Sequence, residues 1–274
     1  STGSRLLDYA ISNRRNGGLP SGRVVEIYGP NSVGKSHLGV QIAKNTQRMG
    51  GIAVYIDAEN STSIENLNSL GLDVSKRFVF VESSCLEEIF SICEQTILKT
   101  KNLKKDVPIT IILDSLAACS PKAELEGGYD QMTIGLAARS ISRGLRKITQ
   151  IIANQNVLFL ILNQTRVAIG SYGSPELPTG GKSVGFFSSV RIKLAAGDRL
   201  ETEGKNKSIY GVTVNSTLIK NRLTAPFRKA SFEIRFGKGI YEHNQIFDQM
   251  RLGGKQEING NIVEVSGDGS WKTF

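Results

Sequence analysis

The stretch Gly29-Pro30-Asn31-Ser32-Val33-Gly34-Lys35-Ser36 follows an apolar run, VVEIY at 24–28, and precedes HLGVQIAKNTQ, a segment of helical composition. The spacing G-x-x-x-x-G-K-[ST] between a strand and a helix narrows what the chain can become. Its glycines let backbone N–H groups turn inward around phosphate oxygens, and the helix N-terminus adds partial positive charge. The competing reading is a plain glycine-rich turn, and the strand–loop–helix context weighs against it. In a phosphate loop of this kind Lys35 reaches the β- and γ-phosphates of ATP and Ser36 ligates Mg2+.

Such a loop needs a parallel sheet behind it, and the chain supplies the strands. Short apolar runs occur at 24–28, 52–56, 78–81, 109–113 and 157–162, with helix-length segments at 35–48, 62–70, 86–100 and 133–153. Continuous apolar strands alternating with helices predict a mostly parallel central sheet covered on both faces, an α/β fold. After residue 187 the pattern changes to SVRIKL, GVTVNSTLIK and SFEIRF, separated by turns such as GDRLETEGKNK at 197–207, which predicts an antiparallel C-terminal extension of the same sheet. With no internal repeat and no low-complexity linker, residues 1–274 are expected to form one domain. At 39% hydrophobic and 22% charged residues the chain is too apolar for a disordered protein. Three cysteines without C-x-x-C spacing argue against a disulfide framework or a structural zinc and point to a reducing cytoplasm. No apolar run approaches the roughly 18 residues of a membrane span, so no membrane role is expected. The net charge of +9 suits a polyanionic partner without by itself deciding for one.

Other candidate residues fall where the strands end. Asp114, closing ITIILDS, is placed to hold Mg2+ through water, against the reading of an ordinary strand-ending acid. Glu59 in VYIDAEN ends a second strand and is a candidate general base for the water that attacks the γ-phosphate, with Asp57 competing for the role. Asn163 and Gln164 end a fourth strand, where an amide can distinguish ATP from ADP. The segment 165–185 carries five glycines and two prolines in 21 residues, with Arg166, Tyr172, Gly180, Gly181 and Lys182 suited to gripping a phosphodiester backbone. A second loop, 122–135, leads into the helix at 133–153. At about 100° per residue, Ile134, Ile141, Leu145, Ile148 and Ile152 share one face and Arg139, Arg143 and Arg146 the opposite one. The stripe reads as a solvated face in isolation and as a nucleic-acid contact between two such loops.

In order, STGSRLLDYAI, GGLPSGRVVEIYGPNSVGKS, YIDAE, LDSLAACSPKAELEG, GLAAR, NQTR, PTGGKSVGFFSSVRI and KNRLTAPFRKASFEI make nearly the whole chain resemble the ATPase core of the RecA family of recombinases and its phage-encoded relatives. The PKAELEG, GLAAR and TGG segments are specific to that family rather than to P-loop proteins generally. The resemblance implies a RecA-like P-loop NTPase core, a DNA-dependent ATPase that forms a filament on single-stranded DNA and pairs it with homologous double-stranded DNA in repair. It implies that Glu59 is the catalytic glutamate and Gln164 the nucleotide-sensing amide. Arg139, Arg146, Arg166 and the Thr179-Gly180-Gly181 turn then line the DNA path. Lys220 and Arg222 match the basic pair that reaches the neighbouring subunit's ATP, and Phe186 an interface aromatic. Two other classes are weighed: a motor ATPase such as a ring helicase of the same fold, and an ATP-gated assembly module without strand exchange. The sequence departs from the family pattern in several places. Arg222 replaces a usual lysine, Ala168 a common basic residue and Gly185 a usual lysine, and the loop at 165–185 is about one residue shorter than the usual pattern. The helix and strand that usually precede STGS and the small C-terminal domain are absent from these 274 residues. The expectation from this is a mostly monomeric chain at micromolar concentration that binds and hydrolyses ATP weakly until subunits are brought together.

Overall fold

The apolar runs and amphipathic segments form alternating strands and helices in a computed structural model, which describes residues 1–103, 106–127, 135–153, 155–167, 176–202, 207–241, 256–258, 261–265 and 271–273. In chain order these are α1 (Arg5–Ser12), β1 (Arg23–Gly29), α2 (Lys35–Arg48), β2 (Ile52–Asp57), α3 (Ile64–Ser69), β3 (Phe78–Glu82) and α4 (Leu86–Leu103). There follow β4 (Ile109–Asp114), α5 (Lys122–Leu125), α6 (Leu136–Ile152), β5 (Val157–Val167), β6 (Glu176–Pro178) and α7 (Gly181–Phe187). The remainder is β7 (Val190–Glu201), β8 (Ile209–Asn221), β9 (Lys229–Arg235), β10 (Gly239–Tyr241), β11 (Gln256–Ile258), β12 (Asn261–Val265) and β13 (Trp271–Thr273). Local signals set the ends: Ser4 accepts a hydrogen bond from the Leu7 N–H at the start of α1, and Asn13 ends it in the left-handed conformation.

Among the described residues, ten strands make one sheet in the order β10-β9-β8-β7-β1-β5-β4-β2-β3, with β6 pairing β5 off this path. The six strands from β7 to β3 are parallel, and β8, β9 and β10 add to them antiparallel. Strands β11, β12 and β13 form a separate antiparallel sheet. Alternate side chains of the parallel strands feed two cores. Val25 and Ile27 of β1 join Leu7 of α1 and Leu38 and Ile42 of α2 on one face, while Val24 joins Ile89 and Cys93 of α4 and Ile141, Leu145 and Ile148 of α6 on the other. Each such fully buried aliphatic side chain contributes about 1.5–3 kcal/mol relative to exposure. No helix among the described residues is long and apolar enough to cross a membrane.

Two expectations need correction. The C-terminal extension does not start antiparallel, because β7 runs parallel to β1, from Val25 opposite Val190 to Tyr28 opposite Lys193. The turn expected at 197–207 is partly strand: β7 continues to Glu201, with register shifts between Ala196 and Arg199 and between Leu200 and Glu201 that let it bend while staying paired with β8. The expected helix at 133–153 begins at Leu136, and Ile134 and Tyr172 lie outside the described residues. For the site, the registers matter most. Gly29 stands opposite Gln164 and Asp57 opposite Asp114, which brings the ends of β1, β2 and β4 to the same edge of the sheet as Gln164; the strand expected to end at Asn163 and Gln164 runs on to Val167.

Candidate nucleotide site and nucleic-acid face

Between β1 and α2 the chain turns through Ser32 at φ 59° and Gly34 at φ 96°, both left-handed. Glycine is required at 34 on two counts, since a Cβ there would also lie 2.2 Å from Ile234 Cδ1 of β9. Lys35, the first residue of α2, folds its side chain back into the loop. Its Nζ donates to the carbonyls of Pro30 at 2.7 Å and Gly29 at 3.2 Å, and the residue is only 7% exposed. Burial lowers its pKa, with Asp114 and Glu59 pulling the other way. Beside the loop lies a cavity of about 270 Å3 lined by Ser32, Lys35, Ser36, Val212, Ile234 and the exposed Phe236.

Asp114 ends β4 and is buried. Its Oδ2 accepts from the Tyr55 hydroxyl at 2.5 Å. Burial raises its pKa, while hydrogen bonds from Tyr55 and Ser36 oppose the rise. Asp57 and Glu59, rivals in sequence, have different surroundings. Asp57 is 1% exposed and caps the turn that follows β2, its Oδ1 accepting from the Glu59 N–H at 3.1 Å and its Oδ2 from the Thr62 N–H at 2.7 Å. Glu59 is exposed to the cleft, and its Oε1 accepts from the Ser115 hydroxyl and from Gln164 Nε2, the latter at 2.6 Å. Lys35, Ser36, Asp114, Glu59 and Gln164 are therefore brought to one place. Asn163, the neighbouring amide within β5, is fully buried and donates to the Thr179 carbonyl at 2.7 Å.

Arg139, Arg143 and Arg146 are exposed on α6, opposite the buried Ile141, Leu145, Ile148 and Ile152. The Thr179 N–H donates to the Gln164 carbonyl at 3.2 Å, after which Gly180 at φ 93° opens α7. A Cβ on Gly180 would lie 3.0 Å from Leu116 and 3.5 Å from Ile141, so this turn abuts the buried face of α6, and Gly181 faces open space. The backbone of Arg166 pairs with Leu177 of β6; its side chain lies outside the described residues. Phe186 at the end of α7 is 68% exposed. Lys220 Nζ donates to the carbonyls of Gly185 at 2.7 Å and Phe186 at 3.1 Å, and Arg222 Nη2 to that of Phe186 at 3.5 Å. Burial lowers the Lys220 pKa, and Arg222 and Arg191 lower it further. Asn221, between the two cations, pairs with Val190, which pairs with Val25, so they sit well below the level of Gly29 and their own P-loop.

Motif reading did not single out Tyr55, Val212, Ile234 or Phe236. Tyr55 reaches Asp114 only because β2 and β4 pair in the register Tyr55 to Ile112 and Asp57 to Asp114. The other three come to the P-loop from strands about 200 residues downstream, and the single sequence signal was the aromatic ending SFEIRF.

A family model described as the RecA N-terminal domain matches residues 1–241. The chain is 39% identical over 276 residues to the Protein RecA of Helicobacter hepaticus, an alignment covering all of this chain and 74% of that one. It is 37% identical over 275 residues to the Protein RecA of Wigglesworthia glossinidia brevipalpis, covering 100% and 76% of the two chains. Against the Protein RecA of Pseudomonas syringae pv. syringae the identity is 38% over 268 residues, covering 97% and 72%.

Proposed function

The chain belongs to the RecA family, and on that footing we propose that it is an ATP-driven strand-exchange core that binds single-stranded DNA as a filament and pairs it with homologous duplex. The motor-ATPase and assembly-module readings are not favoured by a match that runs through residues 1–241. The observation that carries the mechanism is Glu59, whose Oε1 receives both Ser115 and Gln164 at the edge where Lys35 and Asp114 converge.

Lys35 holds its ammonium against loop carbonyls and exchanges them for phosphate oxygens when a nucleotide enters. Ser36 and Asp114 offer a hydroxyl and a carboxylate, the hard oxygen donors that suit Mg2+, and the Gly34 cradle leaves room for phosphates beside them. A Mg2+ ion held by these two residues would supply charge neutralisation to the phosphates of ATP. The wall of Val212, Ile234 and Phe236 gives the nucleotide base an apolar surface. Glu59 orients the attacking water and accepts its proton, a role open to it because both oxygens of Asp57 are occupied by backbone N–H groups.

Gln164 shares its backbone with the turn at Thr179 and its side chain with Glu59, so the γ-phosphate and the DNA-facing segment compete for one residue. Arg139, Arg146, Arg166 and the Thr179–Gly181 turn contact the DNA backbone. Lys220 and Arg222, remote from their own P-loop, complete the ATP site of a neighbouring copy across a contact that includes Phe186. The test is homologous strand invasion with ATP and Mg2+. Joint molecules are expected with homologous duplex and none with heterologous duplex, and unwinding without pairing overturns the reading.

A further inference from the structure

Glu26 stands in the middle of β1, fully buried, and none of the chemistry above uses it. A buried carboxylate is costly unless paired and hydrogen-bonded. Both of its oxygens are engaged, from opposite sides. Arg191 Nε of β7 donates to Oε2 at 2.6 Å, and Asn163 Nδ2 of β5 donates to Oε1 at 2.9 Å. Because a carboxylate only accepts, it selects the nitrogen of the Asn163 amide rather than the oxygen to face it. That choice sets everything else Asn163 does. The same Nδ2 donates to the Thr179 carbonyl at 2.7 Å, and Oδ1 accepts from the Gln164 N–H at 2.9 Å. A rotated amide would lose all three contacts together.

On its other side Glu26 holds Arg191 against α7. A Cβ on Gly185 would come within 3.1 Å of Arg191 Nη1, and the carbonyls of Gly185 and Phe186 are already taken by Lys220. One buried charge thus ties together the part of β5 that carries Gln164, the turn at Thr179 and the helix end that carries Phe186.

We propose that Glu26 is a positioning residue for coupling between nucleotide and DNA. It locks Asn163 and Arg191 so that a displacement of Gln164 at the nucleotide is passed to the Thr179 turn and to α7 instead of being absorbed by a loose amide. Glu26 touches neither nucleotide nor DNA, so its loss leaves each binding event intact and removes the link between them. The proposal rests on the reading of Gln164 as the residue that responds to the γ-phosphate.

The test compares the parent chain with Glu26→Met combined with Arg191→Met, which removes the acceptor that fixes the Asn163 amide without leaving a lone buried charge. Three quantities are read with Mg2+ present: affinity for a fluorescent ATP analogue, basal ATP turnover, and the ratio of oligothymidylate affinities measured with a non-hydrolysable ATP analogue and with ADP. The expected result is nucleotide affinity and basal turnover within about threefold of the parent, with the ATP-to-ADP ratio reduced about tenfold. An unchanged ratio in the folded variant overturns the proposal, as does a parallel loss of all three quantities, which marks a mere structural prop. If the double variant does not fold, Glu26→Asp, which keeps the charge but shortens its reach, is read in the same way. A parent whose oligothymidylate affinity is the same with either nucleotide sinks the reading of Gln164 itself and this proposal with it, whereas a parent that discriminates and variants that still do so sink Glu26 alone.

Discussion

On the proposed reading, Lys35 and Glu59 separate binding from chemistry at the level of single side chains. Lys35 is a buried ammonium whose present partners are two backbone carbonyls, so removing it takes away a charge that water replaces poorly. Lys35→Ala should lose ATP binding, whereas Glu59→Gln should bind ATP like the parent and turn it over roughly 10²–10⁴-fold more slowly, the scale of a general base. Equilibrium binding of a fluorescent nucleotide and steady-state turnover check both; near-normal turnover by Glu59→Gln moves the role elsewhere. Asp57→Asn should act differently. It weakens the turn at 58–62 by replacing an oxygen that accepts from the Thr62 or Glu59 N–H, so it should lower the melting temperature as well as the rate. Spacing in the sequence was enough to locate Lys35, Ser36, Asp114, Glu59 and Gln164. Position favoured Glu59 over Asp57 only weakly, because a firmer ranking depends on where two backbone N–H groups of a turn point. Glu26 was invisible for a similar reason: in VVEIY it is one polar residue in an apolar strand, and its partners Asn163 and Arg191 lie far along the chain.

Helix α6 shows how much of an element its periodicity reveals. Its apolar positions are buried and its arginines exposed as the 3.6-residue period predicts, so the two faces should respond differently to truncation. Ile148→Ala opens a cavity in the core against α4 and should cost about 2–5 kcal/mol of stability. Arg146→Ala should leave stability within about 0.5 kcal/mol of the parent. It should weaken single-stranded DNA binding and flatten the dependence of log affinity on log salt by about 0.7 per lost phosphate contact. Thermal melts and salt titrations distinguish the two, and an unchanged salt slope returns the stripe to a solvated face. The central strands were equally legible, because continuous apolar runs have few other uses in a chain of this composition. Strand β7 was misread for a physical reason. Its first residues alternate between buried and partly exposed, the mark of an antiparallel strand, although it lies parallel to β1 and only its other edge meets the antiparallel β8. The pairing partner of an edge-ward strand is not encoded in its own alternation.

At the scale of the whole molecule the sheet carries two candidate functional regions. The P-loop, Asp114, Glu59 and Gln164 share the carboxyl edge of the parallel strands, and Lys220, Arg222 and Phe186 gather lower down, beside the start of β7. Cations placed there lie away from their own P-loop, and on the proposed reading they serve the nucleotide of a second copy. Turnover per chain should accordingly rise with protein concentration, and Arg222→Ala should remove that rise while leaving nucleotide binding by the isolated chain unchanged. The family and the candidate nucleotide site could be read from motifs, but the separation of these two regions could not, since it follows from the registers of β1, β7 and β8 taken together. The most direct test is ATP turnover by the full 274-residue chain, measured across a protein titration with and without single-stranded DNA. The account predicts turnover that climbs with concentration and is stimulated by the DNA. A rate per chain that is independent of both concentration and DNA would contradict it.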